Sequence, residues 1–144
     1  MNEIKSIREI AENYYRAGDF YCSEAVVKTV VEAFGGTIDN NVLAMSSGFP
    51  VGIGGAGCTC GAIAGGVMAL GYFFGRNKAK DGSVNKCMAL SNELYSRFIN
   101  RNRCSCCKVL TRGMEKGSVE HMDQCVRFTG EVAADCYELI EGNR

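Results

Sequence analysis

The chain reads as an all-α protein, a compact bundle of about five or six helices with a glycine-rich loop. Pro50 is the only proline in 144 residues. Apolar residues recur at three- and four-residue steps outside one glycine-rich stretch, the period of an amphipathic helix, and strict apolar–polar alternation is nowhere sustained. The length suits a single domain over residues 1–144, large enough to bury about two-thirds of its unfolded surface without disulfide staples.

The elements follow in order. Ile4, Ile7, Ala11, Tyr14 and Tyr15 share one face of a first helix that should stop near Gly18. A second is predicted from about Cys22 to Phe34, its apolar face made by Val26, Val27, Val30, Val31 and Phe34, with Gly35-Gly36 ending it. The valines are a strand signal, but Glu24, Lys28 and Glu32 among them keep helical register. Asp39 is suited to cap a short third helix through Ser46. After the loop Gly48–Gly57, a fourth helix is expected from Thr59 to Phe74. Gly61 and Gly65 lie one turn apart in it, and since each costs about 1 kcal/mol against alanine, they imply another helix passing close. Ser83 should cap a fifth helix to about Asn100, with Met88, Leu94, Tyr95 and Phe98 inward. A short helix from Ser105 to Leu110 and a last one from Val119 to Ile140 complete the set.

Composition narrows the function. Sixteen basic and sixteen acidic residues balance, and only Arg101, Arg103, Lys108 and Arg112 form a local basic group, which argues against nucleic acid as a partner. Asn40 to Gly75 carries no charge, but only Thr59 to Phe74 is continuously apolar. That falls short of the roughly 20 residues of a membrane span. The first residues alternate charge with isolated apolar side chains and do not form a signal peptide, so the expected compartment is a reducing cytoplasm.

Nine cysteines dominate the chemistry: Cys22, Cys58, Cys60, Cys87, Cys104, Cys106, Cys107, Cys125 and Cys136. In a reducing compartment such density points to metal or thiol chemistry more than to structural bridges, and an odd number cannot close entirely into internal disulfides. Cys22, Cys60 and Cys107 are predicted in first turns of helices, where unpaired amides and the macrodipole favour a thiolate. Cys87 and Cys136 fall mid-helix at apolar positions and read as small buried hydrophobes. Cys58-Thr59-Cys60 is a C-x-C pair, and Cys104-Ser105-Cys106-Cys107 holds a C-x-x-C and a vicinal pair. Such spacing allows two thiolates on one metal, or one thiol resolving a disulfide at the other. Zinc ordinarily needs a second, well-separated pair, and Lys108 stands where c-type haem attachment needs histidine. His121, the only histidine, precedes Cys125 by one helical turn and is a further candidate for activating a thiol or ligating metal.

Gly52-Ile53-Gly54-Gly55-Ala56-Gly57 satisfies G-x-G-x-x-G, but no strand leads into it and no second strand with an acidic end follows. It is neither a dinucleotide fingerprint nor a P-loop. Its glycines are expected to let the backbone pass near Cys58 and Cys60 with amides turned toward sulfur, making Gly54, Gly55, Gly57 and Gly61 candidate pocket residues.

At these residues the chain resembles the family of redox-active proteins described by the pattern C, CGAxxG, C, C. Cys60-Gly61-Ala62-Ile63-Ala64-Gly65 matches the central element, Cys22 in Tyr21–Val26 resembles the first cysteine, Cys107 before Leu110 and Gly113 is similar to the third, and Cys125 before Val126 matches the fourth. The resemblance runs from about Tyr15 to Ile140. It implies a redox role, an unidentified redox partner and a functional link to a transporter. Cys58, Cys87, Cys104, Cys106 and Cys136 are additions to the pattern.

The residues and the resemblance together lead to one expected pocket holding Cys22, Cys60, Cys107 and Cys125, with Cys58, Cys104 and Cys106 as auxiliary thiols. The leading expectation is thiol–disulfide or electron-transfer chemistry, with Cys60 as a low-pKa attacking thiolate resolved by Cys58 or Cys22. The alternatives are an iron–sulfur cluster or soft metal on the same four sulfurs, and a transporter-associated module binding a small molecule or metal. Sequence leaves open whether the protein is an enzyme.

Overall fold

A computed structural model of the chain describes residues 2–144. Seven helices follow one another: α1 (Asn2–Arg16), α2 (Cys22–Ala33), α3 (Asn40–Met45), α4 (Gly61–Phe74), α5 (Val84–Asn102), α6 (Cys107–Leu110) and α7 (Val119–Glu141). Five are long, α3 and α6 are short, and none is long and apolar enough to cross a membrane.

The long helix α7 is the centre of the bundle and packs against α1, α2, α4 and α5. Its Val132, Ala133, Cys136 and Ile140 are fully buried, a stripe at three- and four-residue steps. Ile7 and Ala11 of α1 and Val26, Val27 and Val30 of α2 bury the matching faces. The α2 helix ends where Gly35 and Gly36 take φ of 98° and 87°, angles that β-carbon-bearing residues avoid. Asp39 caps α3 by accepting from the amides of Asn41 and Val42.

The glycines of α4 set how closely its neighbours approach. A Cβ on Gly65 would lie 2.5 Å from the Ser23 carbonyl oxygen and 2.8 Å from its Cα, so α2 and α4 meet backbone to backbone there. Gly66 makes the same allowance toward Leu94, Val132 and Cys136. The Ser23 hydroxyl donates to the Ser46 carbonyl at 2.8 Å, tying the start of α2 to the end of α3 and so anchoring the loop that follows. On the far side, Arg97 and Arg101 of α5 flank Asp135 of α7, with Arg97 3.5 Å from it.

In α5 the inward stripe is Leu90, Leu94 and Phe98, one residue every helical turn. Met88 and Tyr95, expected inward, are exposed, and Cys87 is half-buried, because they lie on the flanks of that stripe. Two helix starts also differ from expectation. Residues 58–60 and 105–107 run as extended, antiparallel segments: Thr59 bridges Cys106, the Cys60 amide donates to the Ser105 carbonyl at 2.8 Å, and the Cys107 amide donates to the Cys58 carbonyl at 2.6 Å. With its backbone engaged in that pairing, α4 begins at Gly61 rather than Thr59, and α6 at Cys107 rather than Ser105.

The loop between α3 and α4 is tied by its own backbone hydrogen bonds. Val51, Gly52, Ile53, Gly54 and Gly55 all have φ between 55° and 85°, a short left-handed turn. Left-handed backbone costs an L-residue about 1–2 kcal/mol, which glycine at three of the five positions removes. The turn is closed by Ile53 donating to the Phe49 carbonyl at 2.9 Å and Cys58 to the Gly52 carbonyl at 2.9 Å.

Candidate functional site

Where the left-handed turn meets the first residues of α2, α4 and α6 and the side of α7 lies a partly open cavity of about 30 Å³. Cys22, Cys60, Cys107 and Cys125 all line it, together with Tyr15, Val51 and His121. Each sulfur arrives from a separate part of the chain. Cys22 is the first residue of α2, Cys60 caps the start of α4, Cys107 opens α6, and Cys125 lies on α7. The volume has room for about two waters.

Two glycines make the convergence possible. A Cβ on Gly61 would sit 2.6 Å from the Cys22 sulfur, and one on Gly52 would meet the Cys107 Cβ at 2.8 Å. Gly61 and Gly52 line the cavity, whereas Gly55 and Gly57 line an adjacent cleft. Gly54, also expected at the pocket, is exposed in the turn and borders neither space.

The electrostatics overturn one expectation. Burial pushes the Cys60 thiol up to about 12, against the help of the Ala62 and Ile63 amides, which approach its sulfur without closing a capping hydrogen bond. Helix-start amides do favour a thiolate here, but removing the sulfur from water is the larger effect. Cys60 is therefore not a low-pKa nucleophile in this state. Burial also drives Cys22 well up, with the nearby Cys60 and Cys125 raising it further and the Ser23 and Val51 amides partly offsetting both. Cys107 and Cys125 are raised by burial as well. Lys116 pulls Cys107 the other way. Tyr15 faces Cys125 and favours its thiolate, although the contact falls outside ordinary hydrogen-bond geometry, and burial lifts the Tyr15 phenol itself.

The four sulfurs thus sense one another: Cys60 acts on Cys22, Cys107 on Cys60, and Cys107 on Cys125. The cluster grades from buried Cys22 and Cys60 to half-buried Cys107 and Cys125.

The auxiliary thiols lie outside the cavity. Cys58 is exposed; the Cys106 thiol donates to the Gly57 carbonyl at 3.4 Å; Cys104 accepts from the Cys106 amide at 3.2 Å. Of the three cysteines in residues 104–107, Cys107 alone lines the cavity. Cys136 is buried elsewhere, its thiol against the Gly66 carbonyl at 3.5 Å.

His121 lines both the cavity and the adjacent cleft. The Gly117 amide donates to its Nδ1 at 3.0 Å, which leaves the proton of the neutral ring on Nε2. Sequence reasoning missed Tyr15 and Val51. Tyr15 carries no signal apart from its place on the apolar face of α1, and Val51 acts through its backbone, to which its side-chain type gives no clue. For a metal, sulfur ligands must converge on one point. Among the described residues no group of three or more Cys, His, Asp or Glu side chains is so arranged.

An all-helical bundle in which three helix starts and the side of a fourth helix gather thiols around one apolar cavity defines a cysteine-clustered helical protein. The chain belongs to the family described as putative redox-active protein (C_GCAxxG_C_C), which matches residues 20–139. In the family's named pattern glycine precedes cysteine in the central element, whereas here Cys60 precedes Gly61. No curated protein and no solved structure matches the chain.

Proposed function

We propose that the protein is a thiol redox carrier in which the cavity cysteines take up and release two electrons as a dithiol–disulfide couple. One observation carries this reading: four cysteines from separate chain segments line one small apolar cavity. Burial there disfavours a standing thiolate, while a disulfide removes two ionisable groups from the low-dielectric site. The gradient of exposure gives a direction. Cys107, half-buried at the edge, meets the oxidant; Cys60 relays; Cys22 completes the stored bond.

With a disulfide RSSR as oxidant, the Cys107 thiolate bonds to one sulfur and releases RS⁻. Cys60 then attacks the Cys107 sulfur, its proton passing to the departing sulfur as the second RSH leaves, and a Cys60–Cys107 bond forms. Cys22 attacks the Cys60 sulfur, leaving a Cys22–Cys60 disulfide and Cys107 free again. Two electrons pass to RSSR, and the two protons lost by Cys22 and Cys60 end on two RSH. Cys58, Cys104 and Cys106 lie outside as reserve thiols for exchange with a partner.

Mapping thiols and disulfides by mass spectrometry, after anaerobic equilibration in dithiothreitol redox buffers and acid trapping, tests this. The expected result is a two-electron transition that links Cys22 to Cys60, slows in Cys107→Ser and disappears in Cys60→Ser. An oxidised protein in which Cys22 and Cys60 stay thiols would overturn it. So would anaerobically purified protein with stoichiometric metal on these sulfurs.

A further inference from the structure

Beside the thiol cavity lies a more open cleft of about 170 Å³, and Val51, Cys107 and His121 line both spaces. The cleft carries Lys108 and Lys116 and no carboxylate. Among the described residues neither lysine forms an ion pair, whereas both arginines of the α5–α7 contact, Arg97 and Arg101, do. The stem of Lys108 lies over Gly57, where a Cβ would come within 2.8 Å of its Cε, so the glycine lets this side chain lie down along the cleft. The Lys108 amide donates to the Gly57 carbonyl at 2.9 Å and fixes the start of that side chain. The two volumes divide the labour. About 30 Å³ behind Cys107 admits no reactant, while about 170 Å³ in front of it admits only the end of one, being below the roughly 300 Å³ at which small-molecule sites begin.

We propose that this cleft receives the anionic end of a low-molecular-weight disulfide and presents its sulfur to Cys107, with Lys108 and Lys116 holding the carboxylate. The inference rests on the dithiol–disulfide reading above and adds the class of oxidant to it. A cationic reactant would meet two uncompensated ammonium groups, and a protein disulfide would have to thread a recess sized for one end group. The chemistry is the first exchange already written: the Cys107 sulfur bonds to one sulfur of the disulfide and the other leaves as a carboxylate-bearing thiolate.

Cys60→Ser halts the relay after that step and accumulates the mixed disulfide on Cys107, where intact-mass and peptide analysis can time it. Three probes are compared at low salt: glutathione disulfide, cystamine and neutral 2-hydroxyethyl disulfide, each rate divided by that with a free cysteine peptide. Glutathione disulfide should exceed cystamine by about tenfold, the lower end of what a charged cleft contributes to encounter rates. The ratio should fall toward one in the Lys108→Gln/Lys116→Gln background and at high salt. If the neutral probe modifies Cys107 but the two charged probes react alike, or the lysine changes leave their ratio intact, the anionic class is refuted and the redox reading stands. If no probe modifies Cys107, both fall.

Discussion

Replacing Gly65 by alanine is the sharpest test of how the site is assembled, because two opposed effects have known sizes. Alanine favours a helix interior over glycine by about 1 kcal/mol. At Gly65 the added methyl would lie 2.5, 2.8 and 3.0 Å from the Ser23 oxygen, Cα and carbonyl carbon. These are backbone atoms of a helix and cannot rotate away, so the upper part of the overpacking range, about 3 kcal/mol, applies. The net expectation is a loss of about 2 kcal/mol. Gly71, in the same helix, has nothing within 4 Å of the corresponding position, so Gly71→Ala should gain up to about 1 kcal/mol. Urea denaturation under reducing conditions measures both, with an unchanged m-value showing that stability alone has moved. Pushing α4 from α2 at Ser23 also separates Cys22 from Cys60, so Gly65→Ala should slow formation of their disulfide and Gly71→Ala should not. Gly65→Ala as stable as Gly71→Ala would refute the backbone contact, and with it the geometry that brings Cys22 to Cys60.

Alkaline pH gives a second expectation. Cys60 has its pKa raised from 9.0 to about 12 by burial, and Cys22 and Cys136 move the same way. Above about 9 the unfolded chain loses these protons before the folded chain does, so stability present below that pH is lost as pH rises toward about 12. The urea midpoint in reductant should fall across that window, and a flat profile would contradict the burial of these thiols. At neutral pH, iodoacetamide should modify exposed Cys58 well before Cys60 or Cys136, read by peptide mass spectrometry. Tyr15→Phe should raise the pH midpoint of Cys125 alkylation, because it removes a contact that favours the charged sulfur; an unmoved midpoint would remove Tyr15 from the site. Ile53→Gly should stabilise the protein by about 1 kcal/mol in the same denaturation assay, since an exposed β-branched residue at φ 68° is relieved of left-handed strain. A loss of stability there would show that the Ile53 side chain contributes more than its backbone costs.

The helices were legible because their causes are local. The stripe Val26, Val27, Val30 and Val31, the Asp39 cap and the terminating Gly35-Gly36 each act within a turn or two of chain, and the observed α2 and α3 follow them. Gly61 and Gly65 announced a close helix neighbour, since a glycine pair that weakens its own helix must serve some contact beyond it. Sequence could not show that this neighbour is Ser23, nor that Gly66 does as much on another face. The burial phase of α5 slipped at Met88 and Tyr95 because several apolar residues compete for the inward face, and the partner surface decides among them.

For the site, motif spacing singled out Cys22, Cys60, Cys107 and Cys125, and tertiary structure placed them around one cavity. Two things only the folded chain could decide. The pairing of residues 58–60 with 105–107 joins segments far apart in sequence, and it withdraws Cys60 from the helix into a cap position. The sign of the Cys60 shift is likewise a balance between local amides, visible as a helix start, and desolvation by every segment that closes over it. Local chemistry can be read from a sequence because it travels with its neighbours; exclusion of water depends on all the elements that converge at that point.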